Sequence, residues 1–192
     1  MNLPTQLTVG RICLVPLVVV FLISNESIHA LVGAVLFAGA AATDWLDGLI
    51  ARRRGQVTTL GKLLDPVADK VLVSAALISL VQVGTVPAWM VVIMIGREFA
   101  VTGLRSVSAA QGVVIEASDL AKYKTVAQYL AVILLILERG IPTGLDSEFV
   151  YLSRGTLWAA LLLTIFSGID YFVRFYRASD VDALARGDDR WR

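Results

Sequence analysis

The chain has 192 residues, 57% of them hydrophobic before its 15 glycines are added and only 17% charged, against about 25% charged in an average soluble domain. Mean hydropathy is +0.73 and the formal net charge is +1. This excludes an ordinary water-soluble enzyme, a disordered segment, a disulfide scaffold and a globally basic partner for nucleic acid.

A helix needs about 20 mostly apolar residues to cross a bilayer. Six stretches qualify: 6–24, 28–50, 64–83, 86–110, 121–138 and 151–175. They are separated by Asn25-Glu26-Ser27, the basic run Arg52-Arg53-Arg54-Gly55, Gly84-Thr85, Gln111-Gly112, and the segment from Gly140 to Glu148. The expected fold is an all-α integral membrane protein with six transmembrane helices. Residues 1–176 would form one catalytic domain and 177–192 a polar cytoplasmic tail. The first stretch lacks a basic segment ahead of its apolar run and carries Arg11 and Pro16, so it reads as a retained helix rather than a cleaved signal. Six spans put both termini on one side. If that side is the cytoplasm, all of the 17 Lys and Arg lie on or toward it except Arg139 and Arg154, as the positive-inside rule requires.

A carboxylate within a span costs at least about 2.5–3.5 kcal/mol on insertion scales, so such residues usually face the bundle interior and carry function. Asp44 and Asp47 lie at the end of the second span, and Asp65 and Asp69 at the start of the third. At helical spacing Asp44, Asp47, Gly48 and Ala51 share one face, two carboxylates beside two very small residues. Gly61, Asp65 and Asp69 recur every four residues, although Pro66 predicts that the third helix starts or kinks there. The short connection lets the two helices run antiparallel, bringing four carboxylates to one depth. Four like charges require compensating cations. Oxygen ligands without His or Cys nearby suit two hard ions, Mg²⁺ or Mn²⁺, rather than Zn²⁺. The plain alternative is interfacial ion pairing with Arg52, Arg53, Arg54, Lys62 and Lys70; four acids in this spacing favour the metal site.

These residues carry a family resemblance. Asp44-Trp45-Leu46-Asp47-Gly48-Leu49-Ile50-Ala51-Arg52, eight further residues, and Gly61-Lys62-Leu63-Leu64-Asp65-Pro66-Val67-Ala68-Asp69 match every position of D-x-x-D-G-x-x-A-R, x8, G-x-x-x-D-x-x-x-D. The chain therefore resembles the CDP-alcohol phosphotransferase family. The resemblance implies attack of an alcohol hydroxyl on the diphosphate of a CDP-linked lipid, with release of CMP. It also implies that Asp44, Asp47, Asp65 and Asp69 bind metal, with Asp69 the catalytic base. Gly48, Ala51 and Gly61 would leave room for the nucleotide, Arg52 would meet the diphosphate, and the protein would be a homodimer. Such chemistry needs these residue types, because divalent ions offset charge building on transferring oxygens and a nearby carboxylate takes the hydroxyl proton.

Three further segments resemble the branch of that family that uses CDP-diacylglycerol and glycerol 3-phosphate. They are Asn2 to Thr8 with Arg11, Gly96-Arg97-Glu98 through Gly103-Leu104-Arg105, and Lys122-Tyr123-Lys124-Thr125. A phosphorylated acceptor calls for additional cations. Glu98, Thr102 and Arg105 share a face with Arg97 beside it, and Lys124 shares one with Gln128. Arg105, Lys124 and Arg97 are the acceptor-phosphate candidates. The competing reading of Arg97 is a structural pair with Glu98 or Asp170, and of Lys122 a side chain reaching toward the interface. Glu98 reads as a residue that holds an arginine.

Other residues have simpler expectations. Cys13 reads as a small core residue, His29 as an interfacial side chain, and Trp45, Trp89, Trp158 and Tyr171 as interface or packing residues. The run Ala38-Gly39-Ala40-Ala41-Ala42 permits close helix approach. The rival functions are transfer to inositol phosphate, serine or another alcohol, and divalent-cation transport. Transport would need polar groups reaching the far side, where Leu31 to Gly39 and Ala75 to Val81 are almost wholly apolar.

Overall fold

Each apolar stretch folds as one helix: α1 (Leu3–Ile23), α2 (Ser27–Arg54), α3 (Thr59–Gln82), α4 (Ala88–Ala110), α5 (Asp119–Gly140) and α6 (Ser147–Arg186). The computed structural model describes residues 3–54, 59–110, 119–141 and 147–186, with side chains for 9–43, 67–110, 120–141 and 147–177. Two boundaries depart from the sequence reading. Helix α3 begins at Thr59 and runs through Pro66 instead of starting beside it. Helix α6 continues to Arg186, so helix persists well into the segment expected as a tail.

Contacts between helices close a ring in the order α1, α2, α5, α6, α4, α3, and α3 also touches α5 across it. The interior is built from Val18, Leu22, Phe37, Leu72, Leu77, Met94, Leu135 and Leu161, all fully or almost fully buried. Polar side chains are buried with them, including Ser79, Ser108, Gln128, Thr164 and Ser167. Several hydroxyls donate back to a carbonyl one turn earlier, as Ser79 does to Ala75 at 2.8 Å and Thr164 to Ala160 at 2.6 Å. This satisfies a donor that has no water.

The outer surface has the opposite character. Val35, Ile78, Val92, Phe99, Val126, Leu162, Phe166 and Ile169 are all exposed. Cys13 is exposed as well, not in the core as its apolar neighbours led us to expect. Water would penalise so much apolar surface, whereas lipid would not. Among the described residues, Leu120–Gly140 and Ser147–Arg177 are long and apolar enough to cross a membrane, and Val9–Ile23 and Ser27–Thr43 are shorter apolar helices. The surface and these helices together suggest a membrane protein.

Two connections show how the helices are stopped. After α3, the Gly84 N–H donates to Val81 O and the Thr85 N–H to Leu80 O, each at 2.9 Å, with Gly84 at φ 76°. That double closure satisfies the last carbonyls of the helix and needs a left-handed residue, the conformation glycine adopts at least cost. At the end of α1, Arg139 of α5 donates to Leu22 O at 2.6 Å and to Ser24 O at 3.0 Å. Ser24 Oγ is also hydrogen-bonded to His29 Nδ1 at 2.7 Å, so His29 helps to hold the α1–α2 turn.

A β-carbon at Gly84 is expected to destabilise the protein by about 1–2 kcal/mol, the cost of a left-handed L-residue. Gly84→Ala should lower the thermal midpoint of the detergent-solubilised protein while activity per folded molecule stays unchanged.

Candidate active site

The aspartate motif occupies the C-terminal end of α2 and the N-terminal start of α3, on either side of residues 55–58. Both halves therefore belong to one end of the bundle. Asp44, Asp47, Gly48, Ala51, Arg52, Gly61 and Asp65 lie on helical backbone, and their side chains are outside the described residues. Asp69 is described, ten residues into α3 and so about 15 Å along the axis from Thr59.

Asp69 meets α5 across the ring. The Tyr129 hydroxyl donates to its Oδ1, and the Tyr129 ring packs against Phe37 of α2 with centroids 5.6 Å apart. Three helices thus fix one carboxylate. A small cavity opens beside it, lined by Asp69, Lys70, Glu98, Lys124, Gln128 and Tyr129 among others. It is a polar notch enclosed by apolar packing.

Glu98 organises the cations there. The buried Lys124 ammonium donates to Glu98 Oε1, and the Arg97 guanidinium reaches the same oxygen at 3.2 Å. Arg97 Nη2 also donates to Ser167 Oγ of α6 at 3.0 Å. Gly168 makes room for this: a β-carbon there would stand 3.0 Å from Arg97 Cγ. One carboxylate thereby ties α4 to α5, while Arg97 ties α4 to α6. Of the two structural partners considered for Arg97, Glu98 is the one found; Asp170 instead pairs with Arg174 at 3.0 Å.

Arg105 lies farther along α4, exposed, with its guanidinium carbon 5.7 Å from the centroid of the Tyr171 ring. Tyr171 is buried, so its ring forms a platform for a cation rather than an interfacial anchor. Lys70 donates to Thr102 Oγ1. The structure therefore brings Asp69 and Lys124 to one cavity and ties Arg97 to it through Glu98, while Arg105 lies farther along α4 against Tyr171.

Tyr129 and Lys70 were missed as site residues by sequence reasoning. An aromatic in an apolar helix carries no sign of its partner. Lys70 did carry one, a cation within a span, but beside four acids it read only as their counter-charge.

A second cavity of about 290 Å³ lies between α1 and α2, lined by Gly10, Arg11 and Leu14 on one side and Val35, Leu36, Gly39, Ala40 and Thr43 on the other. It is apolar apart from the buried Arg11 and from Thr43, whose hydroxyl donates to Gly39 O at 2.7 Å. Thr43 immediately precedes Asp44, so the groove runs along α2 to the residue before the motif.

Comparison with known families settles the lineage. The family model described as CDP-alcohol phosphatidyltransferase matches residues 1–166. The chain belongs to that family. It is 46% identical over 190 residues to the CDP-diacylglycerol–glycerol-3-phosphate 3-phosphatidyltransferase of Bacillus subtilis (strain 168), covering 92% of this chain and 96% of the relative. It is 39% identical over 174 residues to the enzyme of the same name from Rickettsia bellii (strain RML369-C), covering 89% and 93%. A probable phosphatidylglycerophosphate synthase of Mycobacterium tuberculosis (strain ATCC 25618 / H37Rv) is 37% identical over 179 residues, covering 92% and 82%. The family generally uses divalent metal ions.

If Glu98 is the shared counter-charge, removing it and Lys124 together should do less harm than the single changes suggest. A thermodynamic cycle of Glu98→Gln, Lys124→Met and the double variant is expected to show coupling of about 1–3 kcal/mol in unfolding stability. Additive losses would contradict the pairing.

Proposed function

We propose that the chain transfers the phosphatidyl group of CDP-diacylglycerol to glycerol 3-phosphate, giving phosphatidylglycerol phosphate and CMP for phospholipid synthesis. The observation that carries this reading is the polar cavity beside Asp69, which brings Lys70 and Lys124 to that carboxylate, set in an apolar bundle at the end that bears the aspartate motif. A phosphorylated acceptor requires such cations, and a lipid donor requires the apolar surroundings.

The donor set fits two divalent ions: Asp44, Asp47, Asp65 and Asp69 supply only carboxylate oxygen, the ligand type of Mg²⁺ and Mn²⁺. Bound there, such ions would neutralise the acids and offset charge on the diphosphate. The chain's own residues account for the remaining steps. Gly48, Ala51 and Gly61 leave space for the nucleotide, and Arg52 meets its diphosphate. Arg105 and Lys124, with Arg97 behind them, hold the acceptor phosphate. Asp69, oriented by Tyr129, takes the proton of the acceptor hydroxyl. The hydroxyl oxygen bonds to the phosphorus that carries the diacylglycerol, and the bond from that phosphorus to CMP breaks, its electron pair leaving with CMP. The groove between α1 and α2 gives one acyl chain a path along about 12 Å of helix, from Thr43 to Val35.

In this reading residues 1–176 form one catalytic domain of six membrane spans, and 177–192 form a polar extension that is helical to Arg186. Both termini and the active site face the cytoplasm, in the inner membrane of a bacterium, and the enzyme works among membrane lipids as a homodimer. The distribution of Lys and Arg supports the orientation, and the apolar outer surface supports the spans.

Purified protein offered CDP-diacylglycerol with glycerol 3-phosphate, inositol phosphate or serine should release CMP fastest with glycerol 3-phosphate. Faster release with another acceptor would replace this assignment, and metal uptake into vesicles without CMP release would favour transport. Asp69→Asn and Asp65→Asn are expected to cut turnover by at least about 10²-fold, the low end of what a positioned acid or base contributes, with thermal unfolding retained. Exhaustive chelation should abolish it reversibly. Arg105→Gln is expected to raise the KM for glycerol 3-phosphate much more than the KM for CDP-diacylglycerol in initial-rate assays; an equal rise in both would remove Arg105 from the acceptor site.

A further inference from the structure

We infer that Lys70 is a specificity-determining residue for the acceptor, an arm that works with Arg105 to grip a phosphomonoester. The inference deepens the reading given above and rests on its assignment of Arg105.

The cations near Asp69 fall into two groups. Lys124 and Arg97 are both committed to Glu98 Oε1, so part of their charge is already answered. Lys70 and Arg105 are different. Among the described residues neither is in a salt bridge: Lys70 donates to the neutral Thr102 hydroxyl, and Arg105 lies against the Tyr171 ring. They sit on adjoining elements. Thr102, which anchors Lys70, is three residues before Arg105 on α4 and shares its face.

The anchor is polarised toward Lys70. The Thr102 hydroxyl donates its own proton to Glu98 O at 2.7 Å, which leaves its oxygen to accept from the ammonium. An ammonium has three donors in all, so one holds Lys70 in place and two remain for a ligand. The side chain is half-buried on the wall of the cavity that contains Asp69 and Lys124. The charges of Arg105, Lys124, Glu98 and Asp69 all act on it.

Arg105 is exposed and Lys70 half-buried on the cavity wall, and with neither in an ion pair among the described residues, an anion that bridges them gains both charges. A phosphomonoester dianion answers both, with the Arg105 guanidinium giving a planar fork and Lys70 a point charge. Because Lys70 directly follows Asp69 on α3, a phosphate held there stays beside the group that takes the proton. A bare alcohol would leave the pair unanswered. Lys70 therefore discriminates phosphorylated from unphosphorylated acceptors.

The test uses the full chain purified in mixed micelles. Lys70→Gln is expected to raise the KM for glycerol 3-phosphate about tenfold or more, the value of a charge-assisted hydrogen bond, with the KM for CDP-diacylglycerol within about twofold. Lys70→Arg should recover most of the loss. Calorimetric titration with glycerol 3-phosphate, and separately with inorganic phosphate, should show weaker binding of both ligands to Lys70→Gln. If the variant does not fold by thermal unfolding, Thr102→Val, which keeps the charge and removes its anchor, should raise the acceptor KM in the same selective way. An unchanged acceptor KM, or equal rises for both substrates, overturns the inference.

The wild-type acceptor panel separates this from the broader reading. A preference for a different phosphorylated alcohol would displace glycerol 3-phosphate alone: a selective rise in that alcohol's KM in Lys70→Gln supports the inference, and an unchanged KM overturns it. A preference for serine would overturn both.

Discussion

A charge placed inside an apolar helix bundle has to be met by another charge, a hydrogen-bonding group or a ligand, because the surrounding medium cannot solvate it. The packing around the cavity follows from that constraint. Glu98 is answered by Lys124 from α5 and Arg97 from its own helix, and Arg97 continues to Ser167 on α6. Asp69 is met by Tyr129. Each contact satisfies a buried group and at the same time fixes the spacing of two helices, so the polar interior serves as both scaffold and site.

The ring of helices explains why these particular groups meet. Helices α3 and α5 are separated in sequence by the whole of α4, yet they face one another across the bundle. The apolar residues Leu72, Leu77, Leu135 and Ile136 form the interior of both, outside the polar notch. Apolar packing is non-directional and would tolerate several rotations of each helix. The hydrogen bond from Tyr129 to Asp69 and the ion pair from Lys124 to Glu98 are directional and select one. Directional polar contacts and close apolar packing thus divide the task of specifying a single arrangement.

In the proposed function, that division also separates binding from reaction. Signature residues on α2 and α3 carry the carboxylates that suit divalent ions, while α4 and α5 carry cations that suit a second phosphate. The groove between α1 and α2 leads from Thr43, the residue before the motif, along apolar side chains. In the proposed reaction a lipid with a charged head and a small soluble phosphate ester approach one carboxylate, Asp69, from chemically different directions.

Composition and spacing alone determined much about this protein. Length and hydropathy predict six helices, and six are found among the described residues, because a run of about 20 apolar residues has few ways to satisfy its backbone outside water. Gly84 marks a helix end, since its left-handed turn is a local demand. The aspartate motif is legible because its residues repeat at helical intervals within two adjacent segments. What tertiary structure decided is which face meets which across the ring. Arg97 could have paired with Glu98 or Asp170, Cys13 could have faced either way, and neither Tyr129 nor Lys70 signals its partner in the chain. Those outcomes depend on helices distant in sequence, and a periodicity of 3.6 residues describes a helix's own faces without saying what will lie against them.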